Sequence, residues 1–150
     1  MNPTKRYRVL FVCLGNSCRS PMAEAIARQC AEDIIVSSSA GTIALGFVAP
    51  LTTRVLEERG IGADGLNSKP LTRAAQQNAD IIINMTGGPA DRAFSAGVGK
   101  VEDWPVPDPF GAEMSSYRDT CDDIEARLAE FAARLRAHRA STFATSASEV

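Results

Sequence analysis

In the stretch Cys13-Leu14-Gly15-Asn16-Ser17-Cys18-Arg19-Ser20-Pro21, five mostly small residues separate a cysteine from an arginine, and a proline follows. That spacing suits phosphoryl chemistry. A loop of this length can curl so that successive backbone N–H groups point inward, and a helix begun at Pro21 would add the positive end of its dipole. The result is a cradle for a tetrahedral oxyanion. Arg19 brings a forked guanidinium for two of the oxygens, which a lysine cannot match. Gly15 permits a tight or left-handed backbone, and Asn16 can tie the loop to neighbouring chain through its amide. N–H dipoles, a helix N-terminus and a guanidinium would surround Cys13. All three favour the thiolate, a nucleophile toward phosphorus. Ser20 can donate to the sulfur and ease its departure. Leu14, Ser17 and Cys18 complete the expected phosphate loop.

An attacked phosphoryl group needs a proton for its leaving atom, and a carboxylic acid over the cradle could supply it. Asp108 stands in Pro105-Val106-Pro107-Asp108-Pro109, a rigid approach that presents its side chain. Alone, an Asp-Pro pair is ordinary turn chemistry. Joined to the cysteine loop, it reads as a general acid. Arg19 and the N–H groups already neutralise the phosphoryl oxygens, so neither metal nor cofactor is called for. The four cysteines, 13, 18, 30 and 121, form no CxxC, and His138 is the only histidine, so zinc is not expected. Cys30 and Cys121 read as small buried hydrophobes.

Strands and helices alternate around this loop. Tyr7–Cys13, Ile34–Ser38, Asp80–Met85 and Val101–Val106 read as strands. Helices are expected over Pro21–Ala31 with Ser20 as N-cap, over Pro50–Arg59 closed by Gly60, and near Thr72 and Pro89. Tyr117, Cys121, Ile124, Leu128, Phe131 and Leu135 recur at helical spacing and define one face of a last helix. This order predicts a doubly wound α/β fold with a parallel sheet, where ligands bind beyond the strands' carboxyl ends. The chain reads as a single domain over residues 1–139, with a disordered tail over 140–150 that lacks periodicity.

The 150 residues are 45% apolar and 23% charged, a globular composition. A net charge of −2 gives no case for nucleic acid or an anionic membrane, and no apolar run reaches the length of a bilayer span. A cytoplasmic monomer is expected. By chance, a cysteine, five residues and Arg-Ser or Arg-Thr would recur in about 5% of shuffled chains of this composition, so placement between a buried strand and a helix matters more than the bare motif.

The stretch resembles the low-molecular-weight protein tyrosine phosphatases, whose V-C-x-G-N-x-C-R-S-P-x-A-E is matched from Val12 to Glu24. The likeness continues through Ser39-Ala40-Gly41, Ala79-Asp80, Met85-Thr86 and Asp108-Pro109-Phe110-Gly111. It implies a flavodoxin-like three-layer sandwich with four parallel strands, a cysteinyl-phosphate intermediate, and Asp108 as general acid on a phosphorylated protein or peptide. Cys18 matches a cysteine that can form a reversible disulfide with the nucleophile; its alternative is a thiol packed under the loop. Ser39 aligns with a serine that braces the loop asparagine, but the histidine of that brace in many members has no counterpart, so Asn16 needs other partners. Phe47 and Phe110 are candidate rim residues, with Leu14. Phosphotyrosine is the first substrate reading. Phosphoarginine is the alternative, because the arginine phosphatase branch has a small hydroxyl residue at the Ser17 position and shares Asp-Pro-Phe-Gly. More remote are a thioredoxin-coupled arsenate reductase, which would need two further cysteines after the third strand, a phosphocarrier, and a phosphopeptide-binding module without catalysis.

Overall fold

The computed structural model describes residues 4–95 and 97–148. Four strands, β1 (Tyr7–Cys13), β2 (Ile35–Gly41), β3 (Ile81–Asn84) and β4 (Lys100–Asp103), form one all-parallel sheet in the order β2-β1-β3-β4. Five helices join and cover them: α1 (Arg19–Cys30), α2 (Pro50–Glu58), α3 (Arg73–Asn78), α4 (Ala90–Ala93) and α5 (Met114–Ser148). After β1 the chain builds β2 on one side, then returns to place β3 on the other. The carboxyl end of β1 therefore lies at the reversal of strand order, where a crevice opens.

β1 is central, and its YRVLFVC run is buried except at Arg8. Its alternate residues feed two cores. Val9, Phe11 and Cys13 face α1, α2 and α5, joined by Met22, Ile26, Leu56, Ile83, Trp104 and Phe131. Leu10 and Val12 face a smaller cluster with Ala40, Ile82 and Phe94. The molecule is thus a three-layer α/β sandwich, as expected. Trp104 joins sheet to helix, its ring 5.9 Å from Phe11 and edge-on to Phe131 at 5.8 Å. All six residues of the predicted face of α5 are buried, Cys121 among them, whereas Cys30, expected to be buried too, is exposed at the last position of α1.

Several boundaries differ from expectation. β2 runs to Gly41 rather than Ser38, because its full length pairs with β1, from Tyr7 opposite Ile35 to Cys13 opposite Gly41. Pairing overrides the low strand preference of three serines. β4 ends at Asp103, not Val106: the Trp104 N–H still reaches Asn84 O, and Pro105 then lacks the donor that a continuing ladder needs. α1 begins at Arg19, with Cys18 at its N-cap position and no side-chain cap. The Ser20 hydroxyl is engaged elsewhere. α5 continues through Ser148, where a disordered tail was expected after Arg139. Extending a formed helix through residues 140–148 avoids the nucleation cost, although serines and threonines outnumber alanines there and no apolar stripe guides it.

Candidate active site

Between the end of β1 and the start of α1, residues 14–18 wrap into a loop whose carbonyls face outward. Cys13 O and Leu14 O accept from the Thr42 and Ile43 N–H groups at 3.1 and 2.8 Å, Gly15 O from Leu45 at 2.9 Å, and Ser17 O from Ala49 at 3.1 Å. The hydroxyls of Ser68 and Thr52 donate to Gly15 O and Ser17 O as well. Among the described residues, the N–H groups of Leu14 to Cys18 donate to no carbonyl. The segment after β2 thus holds the loop from outside and leaves its donors turned the other way. Such a ring of N–H groups at a helix N-terminus is an anion cradle.

Two backbone features make the wrap possible. Asn16 adopts φ +47°, the left-handed region that asparagine tolerates better than most residues. Gly41 lies so close beneath that a Cβ there would sit 2.7 Å from Asn16 N and 2.8 Å from Leu14 O. Only glycine fits.

Asn16 is fully buried, and its amide answers the question left open by the missing histidine. Nδ2 donates to Ser20 Oγ at 2.7 Å and Ser39 Oγ at 3.0 Å, while Oδ1 accepts from the Lys69 N–H at 2.9 Å. Ser39 passes the linkage to Glu24, donating to Oε1 at 2.5 Å, and Glu24 is paired in turn with Arg28 at 2.6 Å and Lys69 at 3.8 Å. Sequence reasoning identified Ser39 but missed Lys69 and Ser68. They reach the loop from a segment without periodicity, and no spacing signals them.

Cys13 Sγ lies 3.0 Å from Ser20 Oγ at the buried end of β1. Ser20 has one proton and two candidate acceptors, this sulfur and Ala40 O at 3.4 Å, with its lone pair already receiving Asn16. Its hydroxyl can therefore turn to a charged sulfur without losing its anchor. Cys18 Sγ, also buried, sits 3.5 Å from the Tyr117 hydroxyl. Burial pushes the Cys18 thiol above its ordinary range, only partly offset by that hydrogen bond, and burial likewise raises the Tyr117 phenol.

The guanidinium of Arg19 is nearly buried. Nη1 donates to Met85 O at 2.5 Å and Val106 O at 3.2 Å, and Nη2 is 3.4 Å from Asp108 Oδ2. These contacts aim the group from α1 across the ends of β3 and β4. Its Nε and the Ser17 Oγ are the two buried side-chain polar atoms without a partner among the described residues. Buried donors and acceptors are nearly always paired, so an orphan N–H on an arginine beside a ring of loop N–H groups marks where an anion belongs. Asp108 is half-exposed across the cleft, its Oδ1 accepting from the Phe110 N–H at 3.1 Å in an Asx turn. One cavity is lined by Cys13, Leu14, Gly15, Ser17, Cys18 and Arg19 below and by Asp108 and Phe110 above. Its side wall is Ile43 and Leu45, both exposed. Phe47 does not line it but packs against Phe110, ring centroids 6.4 Å apart. The rim is therefore shifted from Phe47 onto two aliphatic residues. Among the described residues, no cluster of three histidine, cysteine or acidic side chains is placed to hold a metal ion.

The model of the low molecular weight phosphotyrosine protein phosphatase family matches residues 8–141. A "Protein-arginine-phosphatase" of Bacillus subtilis (strain 168) is 33% identical over 150 residues, covering 87% of this chain and 98% of that one. The "Probable low molecular weight protein-tyrosine-phosphatase EpsP" of Ralstonia solanacearum is 30% identical over 141 residues, covering 86% and 96%. Among solved structures, the YwlE arginine phosphatase from Geobacillus stearothermophilus superposes with a TM-score of 0.76 at 29% identity, covering 90% and 96%. Arsenate reductases, one of them from Bacillus subtilis (strain 168), are also similar. With one family matched from β1 through most of α5, and with the fold shared, the chain belongs to the low molecular weight phosphotyrosine protein phosphatases and is an enzyme of that phosphohydrolase type.

Proposed function

We propose that this enzyme removes phosphate from phosphotyrosine in proteins through a cysteinyl-phosphate intermediate. The observation that carries the reading is the convergence on one cleft of Cys13 Sγ, the free loop N–H groups, the orphan Nε of Arg19 and the Asp108 carboxyl. Cys13 thiolate attacks phosphorus in line, the bond from phosphorus to the phenolic oxygen breaks, and Asp108 protonates the departing oxygen. Asp108, now a carboxylate, takes a proton from water. The resulting hydroxide attacks phosphorus, the P–S bond breaks, and inorganic phosphate leaves while the Ser20 hydroxyl donates to the returning thiolate. The N–H ring and Arg19 hold the equatorial oxygens in both steps. Leu14, Ile43, Leu45 and Phe110 give the aryl ring apolar walls. No carboxylate other than Asp108 lines the cavity to pair a guanidinium.

Phosphoarginine is the second reading, favoured by the orphan Ser17 Oγ in the cavity wall. This hydroxyl is already buried without a partner; a guanidinium N–H that reached it would pair it, which a tyrosine ring cannot do. An arsenate reductase of the thioredoxin-coupled type is disfavoured, since the sequence has no cysteine between Cys30 and Cys121. The test is kcat/KM for a phosphotyrosine peptide and a phosphoarginine peptide on one preparation, with Cys13→Ser as blank. A preference of about 100-fold, ~2.7 kcal/mol of differential transition-state binding, assigns the substrate. If phosphoarginine wins and Ser17→Ile reverses it, the second reading replaces the first. Wild type equal to the blank on both would overturn the phosphatase reading.

A further inference from the structure

On the other flank of Leu14 lies a second groove, of about 510 Å³, lined by Leu14, Thr42, Leu71, Gln76, Thr86, Gly88, Pro89, Arg92 and Ala93. It opens past the carboxyl ends of β1 and β3. Leu14, half-exposed, is the ridge shared by this groove and the catalytic cleft, so a chain with its side chain in the cleft meets the groove on crossing that ridge. Two polar groups in it are unmatched. Arg92, exposed on α4, makes no ion pair among the described residues; Arg6, Arg54, Arg73 and Arg139 make none either, but of these five arginines only Arg92 borders the groove. Gln76 is only 6% exposed, and its Oε1 accepts from the Ser95 N–H at 2.8 Å. Its Nε2 donates to nothing among the described residues. An amide N–H₂ open to the groove and a guanidinium without a counter-ion, both bordering it, are donors placed to receive a carboxylate.

We infer that this groove receives the substrate chain beside the phosphorylated residue and selects an acidic side chain there, through Arg92 and the Gln76 amide. The inference rests on the phosphatase reading and adds a substrate class to it. The lining residues Thr86, Gly88 and Thr42 are small and leave room for a peptide backbone. Recognition of this kind works on KM and on association, since the groove lies outside the reacting atoms.

The test uses phosphotyrosine and phosphoarginine peptides in which single neighbours on either side are alanine, aspartate or lysine. The wild type is expected to prefer aspartate over alanine about three- to tenfold in kcat/KM at one or two of these positions, lysine being worst. Arg92→Glu should abolish or invert that order while leaving p-nitrophenyl phosphate, which has no flank, unchanged. Equal use of all flanks by the wild type, or a preference that survives Arg92→Glu, would overturn the inference. The Cys13→Ser form reads the same order as a Kd by fluorescence anisotropy, so the groove is judged even where turnover is lost. Absence of p-nitrophenyl phosphate turnover in the wild type would count against the phosphatase reading alone.

Discussion

Cys13 and Arg19 share one contiguous loop while Asp108 comes from far along the chain, and what aligns Arg19 and Asp108 is mostly hydrogen bonding to backbone. Arg19 is fixed by the carbonyls of Met85 and Val106, and Asp108 by its own Asx turn and the Arg19 guanidinium. Replacing the carboxyl with an amide keeps that shape and removes the proton. Asp108→Asn should therefore lower kcat for a phosphotyrosine peptide by about 10²–10⁴-fold, and less for p-nitrophenyl phosphate, whose leaving group needs little protonation. Equal losses on both substrates would argue that Asp108 only positions Arg19. The brace can be probed in the same way. Ser39→Ala breaks the path from Asn16 to Glu24, and should reduce kcat/KM while p-nitrophenyl phosphate still protects Cys13 from alkylation. At this scale the sequence was highly informative: the loop, its cysteine, arginine, serine and asparagine are contiguous, and their spacing is their geometry. Ile43, Leu45 and Lys69 were not legible as site residues, because their roles depend on where two irregular segments cross the loop.

The elements act as a frame for that loop. β1 delivers Cys13 to the switch point, β2 runs alongside it to Gly41, and α1 supplies Arg19 and Ser20 from its first turn. Cys13 and Gly41 are paired neighbours, so the floor of the cradle and the surface that supports it are set by one strand register. Gly41→Ala would place a methyl group within 2.8 Å of two loop backbone atoms, N of Asn16 and O of Leu14. Backbone cannot yield as a side-chain end can. The expected result is a loss of about 1–3 kcal/mol in stability and a fall of 100-fold or so in kcat/KM, read by thermal unfolding and steady-state kinetics. An active, equally stable variant would mean that the loop is more compliant than its contacts suggest. The helix pattern of α5 and the apolar runs of β1 and β3 were readable from periodicity. The length of β2, the early end of β4 and the start of α1 were not, since sheet pairing, Pro105 and the anion cradle decide them. The extent of α5 beyond Arg139 also escaped, because propagation from a helix already formed leaves no periodic trace.

Over the whole molecule, the larger core joins β1, α1, α2 and α5, and it buries groups whose titration reports on folding. Burial holds the Cys121 thiol up to about 12, opposed in part by Arg59, and Tyr117 and Cys18 are raised for the same reason. In the unfolded chain these groups lose protons first, so above the ordinary thiol range the unfolded state binds fewer protons than the native one. The stability they confer is complete below about pH 8.5 and is lost as pH rises toward 12. Thermal unfolding should show Tm falling across that window, less steeply in Cys121→Ala; identical slopes would show that Cys121 does not contribute. No helix among the described residues is long and apolar enough to cross a membrane, and the net charge of −2 leaves anion binding to the local cradle. In the proposed reaction the phosphoryl group passes through Cys13 during turnover. The most direct measurement is mass spectrometry of the enzyme quenched under denaturing conditions while turning over a phosphotyrosine or phosphoarginine peptide. One phosphoryl group on the peptide that carries Cys13, with neither adduct nor turnover in Cys13→Ala, is the predicted result. Turnover that persists in Cys13→Ala, or a phosphoryl group on another residue, would contradict it.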